Sequence, residues 1–169
     1  MGKEPKEKKS AKKEKKPKVE DATEEGATVE RKTEVSIIAK PLADDKLSKK
    51  VLKLAKKAAK RKQIKRGVKE VIKAIRKNVK GVCIIAGDIS PIDVITPLPV
   101  LCEDNDVPYI YVPSKEELGQ AGLTKRPTSC MLVLPKPLKG DLPADDEGKE
   151  YKESYEEVRA KVQAVQPIF

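Results

Sequence analysis

Three short apolar segments, at residues 82–86, 108–112 and 129–134, constrain the fold of this chain more than any other feature. Each has the length of a buried strand and is followed directly by Gly or Pro. A shorter strand is predicted at residues 64–66, and helical patterns lie between the strands. Strands that alternate with helices indicate an α/β fold of the layered-sandwich type.

Two helices are predicted before the second strand from apolar residues spaced three and four apart. The first runs from a cap at Asp44 or Asp45 to about residue 60. The second begins at Gly67, places Glu70 in its first turn, and closes at residues 78–81, where Asn, Lys and Gly are typical of a helix end.

Two further helices are predicted from capping patterns. Ser90 is an expected N-cap, with Pro91 and Asp93 in the first turn, and prolines at 97 and 99 are expected to limit that helix. Ser114 opens a second capping box, and its short helix is expected to end at residues 118–119.

The two ends of the chain differ in composition. Residues 1–33 are rich in Lys and Glu and almost devoid of apolar residues in their first twenty, so they are expected to be a disordered tail. Residues 34–169 are expected to form a single domain. A Pro/Gly/Asp linker is expected at 135–148, and a C-terminal helix at 150–165 carries Tyr151 and Tyr155 on its apolar face.

Composition excludes several classes of function. The chain contains no His, which removes Ser–His and Cys–His catalysis and every His-ligated metal site. Cys83, Cys102 and Cys130 are widely spaced within apolar runs, as expected for buried, reduced thiols. No apolar run approaches the length of a transmembrane helix. No metal, cofactor or membrane partner is therefore expected.

Basic residues concentrate around the second helix. Residues 46–80 hold sixteen Lys or Arg and one acid, Glu70, a local charge of +15 within a total of +10. Free N–H groups at the Gly67 helix start, beside Lys65, Arg66 and Lys69, would suit an anion. On the local pattern alone, a Gly-capped surface helix with solvated lysines is the favoured interpretation. The one-sided charge of the surrounding residues instead favours a folded face that binds nucleic-acid phosphates.

Asp88 and Asp93 are the only plausible acid–base pair. No His or predicted metal ligand accompanies them, so capping and loop roles are favoured, and we expect no enzymatic activity.

Three segments together resemble the kink-turn-binding ribosomal-protein family. They are Ile64 to Glu70, the stretch 86–104, and the stretch 109–127 with its Leu-Gly-Gln-Ala and Lys-Arg-Pro motifs. The resemblance spans about residues 40–135 with order and spacing preserved. It implies a three-layer αβα sandwich with a central mixed four-stranded sheet.

The resemblance also implies which residues contact RNA. Residues at the Gly67 helix would follow the RNA backbone, and Glu70 would accept hydrogen bonds from a guanine edge in sheared G·A pairs. Residues of two loops would enclose an extruded base. The full implied set is Lys65, Arg66, Gly67, Lys69, Glu70, Lys73, Ser90, Val94, Lys115, Leu123, Thr124, Lys125 and Arg126.

Position 69 departs from the family pattern. The family usually has Asn there, which donates to and accepts from a base edge, whereas Lys69 only donates. Backbone-dominated binding is therefore expected. This departure, the basic tail and the C-terminal helix make the chain similar to the family's branch in box H/ACA ribonucleoproteins of the nucleus and nucleolus.

Membership of that branch implies particular partners. They are an H/ACA guide RNA and a dyskerin-type pseudouridine synthase, which is contacted through a small linker subunit, with this chain present as a monomer within the larger complex. A box C/D or ribosomal kink-turn-binding protein of the same family is the alternative.

Overall fold

The computed structural model describes residues 35–136 and 146–166, which belong to one compact unit. The tail expected at 1–33 lies outside the described residues. The helices and strands are α1 (Asp45–Lys60), β1 (Ile64–Arg66), α2 (Val68–Ile75), β2 (Val82–Ala86), α3 (Pro97–Asp104), β3 (Tyr109–Val112), α4 (Lys115–Ala121), β4 (Cys130–Val133) and α5 (Asp146–Val165).

The four strands form one mixed sheet in the order β1-β4-β2-β3. β4 pairs antiparallel with both β1 and β2, while β2 and β3 are parallel. A parallel pair requires a crossover, and α3 supplies it. The predicted α/β fold with a mixed four-stranded sheet is confirmed.

Both faces of the sheet are covered, which gives the expected three layers. Ile84 on β2 belongs to a core shared with α1, α4 and α5, whereas its neighbours Cys83 and Ile85 face a second core with α2 and α3. Successive side chains on a strand point to opposite faces, so a strand buried on both sides is apolar throughout. This explains the uninterrupted run at 82–86.

The cysteine prediction is confirmed: Cys83, Cys102 and Cys130 are free and buried. Within the described ranges, no helix combines the length and the apolar character that crossing a membrane requires.

The helix predicted at Ser90 is wrong. Ser90 and Pro91 precede a single 3₁₀ turn at Ile92–Val94 that has no side-chain cap, and α3 begins only at Pro97. The prolines that were expected to limit a helix instead occupy the first turn of α3. Proline is tolerated there because first-turn N–H groups have no partner within the helix.

Two other boundaries also differ from expectation. α4 continues to Ala121, so Gly119 is a buried residue inside the helix rather than its end. α5 begins at Asp146, four residues before the expected start, which shortens the linker expected at 135–148. Gly119 therefore does not end the helix. Close packing against a neighbouring segment is the other common reason for a glycine within a helix.

Candidate nucleic-acid interface

One edge of the sheet collects the segments that were predicted to bind RNA. Because β4 runs opposite to its neighbours, its start lies beside the ends of β1 and β2. The Gly67 N–H donates to the Cys130 carbonyl at 2.9 Å, and the Ala86 N–H donates to the Ser129 carbonyl at 2.9 Å. β3, parallel to β2, ends at the same place. We call this edge, with the α2 start and the loops at 87–94, 113–115 and 122–129, the recognition edge.

Gly67 shapes the α2 end of the recognition edge. Its φ of +83° lies in the left-handed region, which L side chains rarely adopt, and a Cβ built there would meet nothing within 4 Å. No side chain caps α2, so its first N–H groups, which have no partner within the helix, have no side-chain acceptor either. The positive end of the helix dipole therefore points to a site that an anion can approach.

The α2 side chains divide cleanly into a core face and a solvent face. Val71 and Ile75 are buried, while Lys69, Glu70 and Lys73 are exposed. Lys69 and Lys73 lie one helical turn apart, so both ammonium groups are available to one passing strand. Lys65, on β1, is half-buried beside them.

Arg66 links β1 to the loop at 122–129, because its Nη1 donates to the Gly122 carbonyl at 3.1 Å. Its side chain is still exposed. The structure therefore adds a supporting role to the phosphate contact that was predicted for this guanidinium.

The loop at 122–129 is held by α4. Leu123 has a φ of +56° and is 52% exposed. The Thr124 hydroxyl lies 2.9 Å from the Gly119 carbonyl and 3.0 Å from the Arg126 carbonyl, so it closes the loop on itself. Lys125 and Arg126 remain exposed. Together with Arg66 and Gly67, the residues from 124 to 129 line an open groove of about 700 Å³.

Ser90 and Lys115 line a different hollow, of about 550 Å³, together with the neighbours of Ser90 in its own loop and with residues 35–37. The Asp88 carboxylate accepts from the Lys115 backbone N–H at 2.9 Å, and Lys115 Nζ lies 3.4 Å from the Asp88 carbonyl. Val94 is 40% exposed and lines neither hollow. The predicted residues therefore share one edge, but five of them line the groove at Arg66 and Gly67, two line this hollow, and the other six line neither.

Two residues support the recognition edge in ways that the sequence alone does not specify. Asp88 adds to the Ser114 cap of α4, whose hydroxyl accepts from the Glu116 and Glu117 N–H groups. Gly119 lets the 122–129 loop lie against α4, since a Cβ there would come within 2.4 Å of the Arg126 carbonyl oxygen. In the sequence, the signal that could have indicated this packing was a glycine in a short helix that is followed by the Lys125-Arg126 pair.

The basic block at 46–80 does not form one face. α1 packs in the layer with α4 and α5, whereas α2 packs on the opposite side of the sheet. Two lysines of α1 are also paired with α5: Lys50 with Glu157 and Lys57 with Glu150, both at 2.6 Å. The expectation of a single phosphate-facing surface is wrong because β1 lies between the two helices in the chain and they pack on opposite faces of the sheet.

Two thiols of the core are held in their protonated form. Burial raises the pKa of the Cys130 thiol to about 12, and contact with Cys102 raises the pKa of Cys83 well above its usual range. Asp88 accepts a hydrogen bond at a helix start, and Asp93 is exposed in the 3₁₀ turn.

Comparison with known proteins identifies the family. The sequence profile of the ribosomal protein L7Ae/L30e/S12e/Gadd45 family matches residues 49–142. The H/ACA ribonucleoprotein complex subunit 2-like protein of Arabidopsis thaliana is 54% identical over 72% of this chain and 77% of its own length. The subunit nhp2 of Schizosaccharomyces pombe is 56% identical over 55% of this chain and 58% of its own length.

A solved structure agrees with these relatives. The Giardia lamblia 15.5kD RNA binding protein superimposes with a TM-score of 0.63 at 32% identity, covering 76% of this chain and 97% of its own. The matched profile residues include α2, the 3₁₀ turn and the 122–129 loop, which are the parts that build the recognition edge. The chain therefore belongs to the ribosomal protein L7Ae/L30e/S12e/Gadd45 family.

Proposed function

We propose that this protein is the RNA-binding core subunit of box H/ACA small nucleolar ribonucleoproteins, and that it supports pseudouridylation and processing of ribosomal RNA. The observation that carries the proposal is that relatives from a plant, a yeast and cattle, at 48–56% identity, all bear the name of an H/ACA ribonucleoprotein subunit. A box C/D or ribosomal role has no comparable support among these relatives.

In this proposal the α2 start binds the RNA backbone. The open N–H groups after Gly67, together with Lys65, Lys69 and Lys73, contact consecutive phosphates, and Glu70 accepts from a guanine edge. The exposed positions of Lys69, Glu70 and Lys73 and the unobstructed space at Gly67 support this arrangement. Charge-assisted contacts of this kind position RNA without reading its sequence.

The two loops receive the extruded base in the same proposal. Leu123, Lys125 and Arg126 pack on the base and its flanking phosphates, while Thr124 fixes the loop. Ser90 and Val94 approach from the loop at 87–94, and Lys115 adds a positive charge beside them. The large exposed fractions of Leu123 and Val94, which are apolar, favour contact with an unstacked base.

The protein itself is non-catalytic in this proposal. A dyskerin-type pseudouridine synthase, reached through a small linker subunit, performs the chemistry on an RNA that this chain holds in place as one copy in the complex. The place of action is the nucleus and the nucleolus. The high pKa of the buried thiols and the structural use of Asp88 support a role in binding rather than in turnover.

Sequencing of the RNAs that copurify with tagged protein tests the proposal. We expect enrichment of guide RNAs with box H/ACA sequences and loss of that enrichment when Lys65, Lys69 and Lys73 are all changed to Gln. A matched control changes Lys77, Lys136 and Lys152, which are exposed and lie off the recognition edge. Enrichment of box C/D RNAs, or of none, would overturn the proposal.

A further inference from the structure

A row of four lysines on α1 lies outside the recognition edge. Lys49, Lys53, Lys56 and Lys60 are spaced four, three and four residues apart, so they share the helix face opposite its buried stripe. All four are exposed. No side-chain hydrogen bond or ion pair joins any of them to another residue in the described part of the chain. We call these residues the outer lysine stripe.

The positive charges of the outer lysine stripe repel one another and are unfavourable for α1 itself. Lys49 and Lys53 are separated by four residues, as are Lys56 and Lys60, and like charges at this spacing destabilise a helix. After Asp45, α1 has no acidic residue to offset them. The lysines facing α5 differ, because Lys50 and Lys57 are paired with carboxylates. The carboxylates of α5 therefore neutralise lysines only on the side of α1 that faces α5, and the outer face of α1 stays positive.

The chemistry of the stripe fits a phosphate backbone better than a protein partner. Lysine is depleted from protein–protein interfaces, whose centres are rich in aromatic residues, and the stripe contains no apolar residue. From Lys49 to Lys60 it extends roughly 16 Å along the axis at 1.5 Å per residue. A linear row of ammonium groups over that length matches a linear polyanion.

The helix that carries the stripe begins beside the recognition edge. Leu42 pairs with Tyr111, and the Ala43 N–H donates to the Tyr111 carbonyl at 2.9 Å, immediately before α1 begins. Tyr111 is the penultimate residue of β3, whose end belongs to the recognition edge. α1 thus starts at that edge and runs away from it, with Lys49 nearest and Lys60 furthest.

From this geometry we propose that the outer lysine stripe is a second, sequence-independent RNA-binding surface. It holds the phosphate backbone of a stem that continues from the motif bound at the recognition edge. The inference rests on the proposed RNA-binding function and adds to it a contact with the flanking stem, on the opposite layer from α2.

The test uses full-length protein and two RNAs. One is a short hairpin that carries only the bound motif, and the other extends the flanking stem by about ten base pairs, roughly 30 Å, enough to pass the stripe. The stripe variant is Lys53→Gln, Lys56→Gln, Lys60→Gln, which changes the members furthest from the recognition edge. The control variant, Lys77→Gln, Lys136→Gln, Lys152→Gln, removes the same charge from exposed sites elsewhere.

The stripe variant is expected to bind the long RNA at least tenfold more weakly than wild type. Its log–log salt slope should fall by about 2.1–2.7 if three phosphate contacts are lost at 0.7–0.9 each. It should bind the short RNA like wild type, and the control should match wild type on both. Gln keeps a high helix propensity, so circular dichroism should report an intact α1.

Two results would overturn the inference. One is that the stripe variant binds the long RNA as tightly as wild type does, whether or not that variant loses a protein partner during assembly. The other is an equal loss on both RNAs, which would indicate only general attraction. Failure of wild type to bind even the short RNA would contradict the proposed function itself, so the two ideas fail separately.

Discussion

A methyl group added at Gly119 should weaken RNA binding by displacing the loop at 122–129. A Cβ at this residue would lie 2.4 Å from the Arg126 carbonyl oxygen and 3.2 Å from the Pro127 Cα, whereas ordinary contact begins near 3.4 Å. The loop at 122–129 must therefore retreat by about 1 Å in Gly119→Ala. The obstructing atoms are backbone, so no side-chain rotation relieves the contact.

The expected free energies oppose each other. Replacing a helical glycine with alanine stabilises a helix by about 0.5–1 kcal/mol, while overpacking costs about 1–3 kcal/mol. We expect a net loss of about 1 kcal/mol in the free energy of unfolding, measured by urea denaturation. Because Leu123, Lys125 and Arg126 move with the loop, RNA affinity should fall about tenfold, which corresponds to about 1.4 kcal/mol.

The matched control is Gln120→Ala, which changes the adjacent, exposed residue of α4. It should leave both the free energy of unfolding and RNA affinity near their wild-type values. A Gly119→Ala protein that is more stable than wild type and binds RNA normally would refute the reasoning, because the glycine would then not be required for loop packing.

Three further predictions concern α2, α5 and their partners. Lys65→Ala with Lys73→Ala should lower the log–log salt slope of RNA binding by about 0.7–0.9 for each lost phosphate contact, and an unchanged slope in salt titrations would contradict it. Tyr151→Phe removes a 2.6 Å hydrogen bond to the buried Leu134 carbonyl. It should lower the free energy of unfolding by about 0.5–1.5 kcal/mol in urea denaturation, without changing RNA binding. Hydrogen bonds from two lysines lower the pKa of Glu157 from 4.5 to about 2. The stability this contributes is complete above pH 4.5 and lost as the pH falls towards 2, so acid titration should destabilise wild type more than Glu157→Gln.

The strands were predictable because their signal is local. Residues 82–86 are buried on both faces of the sheet, and a strand in that position must be apolar at every residue. α1 and α2 were predictable for a related reason, since each buries one stripe at helical spacing. The family resemblance correctly supplied the layer order and the mixed sheet, which no local pattern contains.

The helix predicted at Ser90 failed because capping residues and prolines are ambiguous. Ser90, Pro91 and Asp93 fit a helix start, but Pro97 fits one equally well, and only Leu98 and Cys102 packing on the sheet decides between them. The charge interpretation of residues 46–80 failed for a comparable reason. Net charge along the sequence does not show that α1 and α2 lie on opposite layers.

The packing role of Gly119 and the partner of Asp88 were not predictable, because both residues act through distant backbone. One faces the Arg126 carbonyl and the other accepts from the Lys115 N–H, 27 residues along the chain. The assignment of individual RNA contacts remains a prediction. The structure brings those residues to one edge of the sheet, where a bound RNA would contact them.

The lysine at position 69 should determine how strongly this protein distinguishes a kink-turn from other RNA stems. Its side chain is exposed in the first turn of α2, next to Glu70 and beside the open N–H groups that follow Gly67. An Asn here could exchange two hydrogen bonds with a base edge, whereas lysine offers only donors and a point charge. The wild-type protein should therefore bind a kink-turn and an irregular stem of equal length with similar affinity.

Lys69→Asn should shift this balance towards the kink-turn. One good bidentate base contact is worth about 1–3 kcal/mol on the scale known from DNA recognition, and the irregular stem should lose affinity because a positive charge has gone. Paired titrations at fixed salt measure both effects. Lys73→Asn is the matched control, since it removes the same charge one turn further from Gly67 and should weaken both RNAs equally. A wild-type protein that already prefers the kink-turn a hundredfold would defeat the argument, because lysine could not then be what relaxes specificity.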